Sequence, residues 1–139
     1  MKKHNANAVW NGSVKEGSGK MSSASKVLNN SPYSFKTRFE GEQGTNPDEL
    51  IAASHAGCFS MALSLMLGEN GFTPDEISTD AEITMDPDKL ELVSSHLVLK
   101  AKIPNIDEAK FKEIANAAKE NCPISKVLNL DITLDAELL

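Results

Sequence analysis

Asn46-Pro47-Asp48-Glu49-Leu50-Ile51-Ala52-Ala53-Ser54-His55-Ala56-Gly57-Cys58-Phe59-Ser60-Met61-Ala62-Leu63-Ser64-Leu65-Met66-Leu67 reads as one long helix and decides the architecture of the chain. Asn46 can cap it, Pro47 fits the first helical position, and Asp48 and Glu49 suit the positive end of the helix dipole. The helix should run to about Gly68–Gly71. From Ala56 onward its residues are apolar or small on every face, the pattern of a helix buried all round. A chain of 139 residues has little material to surround such a helix. Part of its cover is therefore expected from a second subunit.

Before this helix the sequence reads as short strands. Ala6, Ala8 and Trp10 alternate with polar neighbours, and Asn11-Gly12 is a hairpin turn signal. A second strand is expected around Val14 to Met21 and a third at Lys26-Val27-Leu28, with Asn29-Asn30-Ser31-Pro32 ending the run. Residues 40–46 form a polar loop. After the helix, Ile77, Thr79, Ala81, Ile83 and Met85 alternate with polar residues, and Pro87-Asp88 turns the chain. Leu97, Leu99, Ala101 and Ile103 repeat the alternation, with His96, Lys100 and Lys102 facing out. A helix follows from Asp107, with Phe111, Ile114, Ala115 and Ala118 as its apolar stripe and Ile106 and Phe111 as a hydrophobic staple. Past Asn121-Cys122-Pro123 a short helical turn is expected. Leu130, Ile132, Leu134, Ala136 and Leu138 make the last strand. The class is α+β, mainly antiparallel, organised as a single domain over residues 1–139.

Composition narrows the function. The chain is 40% hydrophobic, enough for a core, and carries a net charge of −6 with one arginine, Arg38. An acidic chain without a basic run argues against a nucleic-acid partner. The most apolar run, Ala56–Leu67, falls short of the ~20 residues of a spanning helix, so no membrane association is expected. The lysines near Met1 have no apolar stretch behind them, as a signal peptide would require. A reducing cytoplasm is the default expectation. There a lone pair of cysteines, Cys58 and Cys122, is either inert packing or redox chemistry.

Both cysteines have a plain reading and a chemical one. Cys58, midway along the helix, can be a small core residue. Cys122 precedes Pro123 at the cap of a short helix, where backbone N–H groups favour a thiolate, and on local electrostatics it is the more reactive. Arg38 is either a solvated strand-end charge or a cation that lowers a thiol pKa. Glu49 is either a first-turn acid or the carboxylate that orients Arg38. On one straight helix Glu49 and Cys58 point to opposite sides, ~13.5 Å apart along the axis. They can cooperate only across a subunit interface or if Gly57 breaks the helix. His55 and Cys58 share a helix face, which permits a Cys–His nucleophile or half a zinc site. A zinc site would need further ligands, and His4 and His96 are poorly placed to supply them.

Three long segments carry a resemblance. Tyr33-Ser34-Phe35-Lys36-Thr37-Arg38-Phe39-Glu40-Gly41, Gly44-Thr45-Asn46-Pro47-Asp48-Glu49-Leu50-Ile51-Ala52-Ala53 and His55-Ala56-Gly57-Cys58-Phe59-Ser60-Met61-Ala62-Leu63 closely resemble the osmotically inducible protein C (OsmC) family. Asn121-Cys122-Pro123-Ile124-Ser125-Lys126-Val127-Leu128 and the closing strand match as well. The position of Arg38, just before the helix, resembles the osmotically inducible branch rather than the organic hydroperoxide resistance branch. Asp48, where Glu is frequent, is a mild departure.

The resemblance implies an OsmC-like fold: antiparallel sheets packed around a long buried central helix, in an intertwined homodimer. It implies a thiol-dependent peroxidase that reduces organic hydroperoxides, and hydrogen peroxide less well. Carried over by position, Cys58 is the peroxidatic cysteine and Cys122 the resolving one, with Arg38 and Glu49 as the activating ion pair. This reverses the local ranking of the two cysteines, and a guanidinium against Cys58 supplies the reason. The implied partner is an external dithiol of the lipoyl type, and no haem, flavin or metal cofactor is required. Two other readings remain at this level: a Cys58–His55 acyl or thioester hydrolase, and a non-catalytic dimeric binding domain.

Overall fold

The computed structural model describes every residue from Met1 to Leu139. Its elements run β1 (Ala6–Asn11), β2 (Ser18–Ser23), β3 (Ser31–Tyr33), α1 (Phe35–Phe39), α2 (Pro47–Glu69), β4 (Glu76–Asp86), β5 (Glu91–Lys102), α3 (Glu108–Asn121), α4 (Pro123–Val127) and β6 (Asp131–Leu138). They form two compact units, Met1–Leu50 and Ile51–Leu139, with the division inside α2. The expected α+β class holds.

In the first unit β1, β2 and β3 form an antiparallel sheet in that order. The Asn11-Gly12 signal does end β1, but the hairpin loop is longer than two residues. Gly12 takes a positive φ of 92°, and Gly17 N–H closes onto Ser13 O at 2.8 Å. Gly19 lies under the Trp10 and Tyr33 rings, whose centroids are 5.4 Å apart, and a Cβ there would collide with both. The third strand is not Lys26-Val27-Leu28. Lys26 and Asn30 adopt positive φ, and Ser23 Oγ accepts from Leu28 N–H at 3.1 Å, so this stretch folds as a loop. Pairing resumes only at Ser31–Tyr33. Helix α1 was not anticipated. Ser34 caps it in a reciprocal box, with Thr37 N–H to Ser34 Oγ at 3.2 Å and Ser34 N–H to Thr37 Oγ1 at 2.8 Å.

Helix α2 begins as read from sequence, with Asn46 Oδ1 accepting from Glu49 N–H at 2.8 Å, and it continues unbroken through Gly57. At full length it is long and apolar enough to cross a membrane, a test that the core helix of a soluble protein also passes. The expectation that no segment reaches spanning length counted only its apolar middle. Its apolar character also divides. His55, Phe59, Leu63 and Leu67 form a buried stripe, whereas Met61 is 76% and Leu65 64% exposed. The helix is thus not buried all round within its own chain.

In the second unit β4, β5 and β6 form a sheet in that order. The β4–β5 pair is antiparallel, with a register shift between Thr84 and Met85. Strand β6 pairs parallel to β5 (Leu97 with Leu134, Leu99 with Ala136), the one parallel pair in sheets that are otherwise antiparallel, as the mainly antiparallel reading allows. The cause is α3 and α4, which lie between β5 and β6 as the helical crossover a parallel pair needs. Asp107 caps α3, accepting from Lys110 N–H at 2.8 Å. Phe59, Leu63 and Leu67 of α2, Leu97, Leu99 and Ala101 of β5, and Phe111, Ala115 and Ala118 of α3 close one core, with Cys122 at its margin. Each large side chain there contributes roughly 1.5–3 kcal/mol by leaving water.

Candidate active site

In the second unit the two thiols face each other. Cys58 is half-buried on α2, and Cys122 is fully buried at the junction of α3 and α4. Pro123 at the first position of α4 ends α3 and starts the next helix, turning Cys122 inward. Burial pushes the Cys58 thiol up from its ordinary value, and the neighbouring Cys122 thiol pushes it the same way. The Ile124 backbone N–H, in the first turn of α4, pulls it down. The sum is upward, so from within this unit Cys58 is held as a thiol. Only Cys58 of the two retains solvent exposure, contrary to the reactivity ranking drawn from local sequence.

His55 does not serve Cys58. It is fully buried, with Nδ1 2.7 Å from Ser95 Oγ on β5 and Nε2 2.8 Å from Ser125 Oγ on α4. Burial holds its pKa below the ordinary imidazole range, so the ring is neutral: one nitrogen donates to a serine and the other accepts. With both nitrogens engaged, a Cys58–His55 nucleophile lacks its base. Sequence patterning had no means of finding Ser95 and Ser125, because each meets His55 across a long chain separation. His96, on β5, bonds Thr133 Oγ1 at 2.6 Å and Asp135 Oδ2 at 3.1 Å on β6.

In the first unit Arg38 makes a two-point fork with Asp48: Nε to Oδ2 at 3.1 Å and Nη2 to Oδ1 at 2.8 Å. Glu49, expected as its partner, instead accepts from Thr45 Oγ1 at 2.9 Å. The physical reason is local. Asn46 caps the helix through Glu49 N–H, while the fork geometry of guanidinium and carboxylate is met by the neighbouring acid. The signal for Asp48 was in the sequence, since it stands beside Glu49 in the same first turn. Arg38 also lies over the Phe39 ring, 5.5 Å from its centroid. A shallow depression beside it is lined by Trp10, Tyr33, Phe35, Phe39 and Pro47.

A half-exposed thiol facing a buried one, on an α+β scaffold with a long helix, defines a class of two-cysteine domain. The chain belongs to the OsmC-like protein family, whose model matches residues 40–137. It is 52% identical over 133 residues to Peroxiredoxin OsmC of Escherichia coli (strain K12), covering 94% of this chain and 93% of that protein. It is 34% identical over 101 residues to organic hydroperoxide resistance protein OhrB of Bacillus subtilis (strain 168), covering 69% and 72% of the two chains. The crystal structure of the Bacillus subtilis OhrB superposes with a TM-score of 0.65 at 28% identity, over 97% of this chain and 98% of that one. An OsmC-like protein from Mycoplasma pneumoniae shares the fold with a TM-score of 0.72 at 18% identity, covering 99% and 98%.

Proposed function

We propose that the protein is a thiol-dependent peroxidase that reduces organic hydroperoxides, with Cys58 as the peroxidatic cysteine and Cys122 as the resolving one. The juxtaposition of the Cys58 thiol on α2 and the Cys122 thiol at the α3–α4 junction carries this reading. The names of the relatives, a peroxiredoxin and an organic hydroperoxide resistance protein, support the substrate class.

The cycle has three steps. The Cys58 thiolate attacks the distal peroxide oxygen. The O–O bond breaks, the alkoxide leaves and takes a proton, and Cys58 becomes a sulfenic acid. Cys122 then attacks the Cys58 sulfur, forming the disulfide and releasing the hydroxyl with the thiol proton as water. An external dithiol, of the lipoyl type by family resemblance, reduces the disulfide by exchange. No cofactor enters the balance.

The upward push on the Cys58 thiol calls for a cation to offset it, and Arg38 is the one guanidinium in the chain. Asp48 takes the orienting task first expected of Glu49, because its carboxylate holds both arms of the fork. The aromatic depression beside Arg38 suits the apolar tail of an organic hydroperoxide better than hydrogen peroxide. The exposed Met61 and Leu65 on α2, together with Val9 on the exposed strand β1, support a homodimer that covers them. A cytoplasmic location, with α2 inside a dimer rather than a bilayer, completes the reading.

The test is intact mass under non-reducing conditions after one equivalent of cumene hydroperoxide. Loss of two hydrogens is expected. An unchanged mass, with the hydroperoxide unconsumed, overturns the peroxidase assignment.

A further inference from the structure

The buried polar thread Ser95–His55–Ser125 has no part in the cycle above, yet it ends on the helix that the resolving cysteine caps. His55 and Cys58 occupy one face of α2, a turn apart. Each grips α4 at a different point. His55 Nε2 meets the Ser125 hydroxyl at 2.8 Å, while Cys58 faces the Cys122 thiol and the Ile124 N–H. All of these points fall within the four residues Cys122–Ser125. Helix α4 has five residues, too few to be stable alone, and its cap residue Cys122 makes no side-chain capping bond. Its placement therefore comes from outside. Ser95 Oγ, fully buried on β5, fixes the far side of the imidazole at 2.7 Å, and no buried side-chain polar atom lacks a partner. The ring is thereby clamped between a strand and the short helix.

We propose that His55 is a positioning residue for disulfide closure. Acting through Ser125, it holds α4 so that the Cys122 sulfur and the Ile124 N–H stay on Cys58. The inference rests on the peroxidase reading.

The chemistry it controls is a competition at one atom. Cys58 sulfenic acid has two fates. Attack by Cys122 forms the S–S bond, breaks the S–O bond and releases water. Attack of the sulfenic sulfur on a second hydroperoxide adds another oxygen to sulfur, breaks a second O–O bond, releases an alcohol and leaves sulfinic acid. The first rate depends on the placement of Cys122, and a misplacement of about 1 Å can cost on the order of 10²-fold. The second does not depend on Cys122 at all. Loosening α4 should therefore tilt the partition toward sulfinic acid.

Ser125→Ala removes the hydroxyl at the α4 end, and Ser125→Thr retains one. His55→Gln keeps a donor and an acceptor but cannot span both serines. Each variant is titrated with cumene hydroperoxide in the presence of dithiol, and the fractions of disulfide and sulfinic acid are read by intact mass. The Cys58 thiolate is titrated by ultraviolet absorbance in a Cys122→Ser background. Ser125→Ala and His55→Gln should over-oxidise at about ten-fold lower hydroperoxide, and the Cys58 titration should move upward as the Ile124 N–H drifts. Ser125→Thr should restore both. If Ser125→Ala proves unfolded by circular dichroism, His55→Gln carries the test. A wild-type partition and Cys58 titration in the folded variants overturn the positioning role. If the wild-type protein itself forms no disulfide with hydroperoxide, the peroxidase reading fails instead, and the two failures are distinct.

Discussion

Arg38 and Asp48 are joined by two parallel hydrogen bonds, Nε–Oδ2 at 3.1 Å and Nη2–Oδ1 at 2.8 Å, at the entrance to helix α2. The pair is largely screened from solvent, with side-chain exposures of 30% and 16%. A fork of this kind fixes the plane of the guanidinium as well as its position.

Asp48, rather than Glu49, should therefore control activation. Asp48→Asn is expected to lower the first-turnover rate with cumene hydroperoxide about ten-fold or more, since hydrogen bonds to a charged partner are worth roughly 1.5–3 kcal/mol. Glu49→Gln should change it by less than about two-fold, because its carboxylate only receives the Thr45 hydroxyl. Stopped-flow peroxide consumption separates the two. A larger defect in Glu49→Gln would reassign the orienting role to Glu49.

Arg38→Lys preserves charge but loses the fork. The expected result is a rise in the Cys58 titration midpoint and a fall in rate on the order of 10²-fold. The pH–rate profile is the measurement. An unshifted profile with a normal rate would separate Arg38 from thiolate stabilisation.

Cys58→Ser should abolish hydroperoxide consumption. Cys122→Ser should complete one oxidation and then trap Cys58 as sulfenic or sulfinic acid, seen as a mass gain of one or two oxygens. Multi-turnover activity in Cys58→Ser contradicts the assignment of the peroxidatic cysteine.

Helix α2 continues unbroken through Gly57. We propose that the activating pair serves the partner's thiol in a homodimer. Mixing inactive Cys58→Ser with inactive Arg38→Ala subunits should recover activity, because each heterodimer then holds one complete site. Verified subunit exchange without recovery would place Arg38 on its own chain's Cys58.

Burial depresses the His55 pKa below its unfolded value near 6.5, so the unfolded chain binds the extra proton first as pH falls. The contribution is complete above pH 6.5 and is lost progressively below it, toward the lower folded-state pKa. Urea midpoints should therefore decline between pH 6.5 and 5, and His55→Gln should flatten that decline. An identical slope in both proteins would mean that His55 is not buried neutral.

The local devices were legible in the sequence because their causes are local. The Asn46 cap and Pro47 start α2, the Asp107 cap and Ile106–Phe111 spacing start α3, and period-two alternation marks β4 and β5. The Cys-Pro junction at Cys122 and the acid-rich first turn of α2 were visible for the same reason. What the chain does with them was decided at long range. Lys26–Leu28 has strand-like residues but becomes a loop, in which the Ser25 and Ser23 hydroxyls accept from Val27 and Leu28 N–H. The direction of β6 depends on the crossover through α3 and α4, not on its own alternating pattern. The choice of Asp48 over Glu49 turned on where one guanidinium lies, and the Ser95–His55–Ser125 thread on a strand and a short helix meeting over one ring. Periodicity reports which face of an element is apolar. Only the packed chain decides which polar groups that packing brings within 3 Å of each other, and the direction of the Cys58 shift follows from those neighbours.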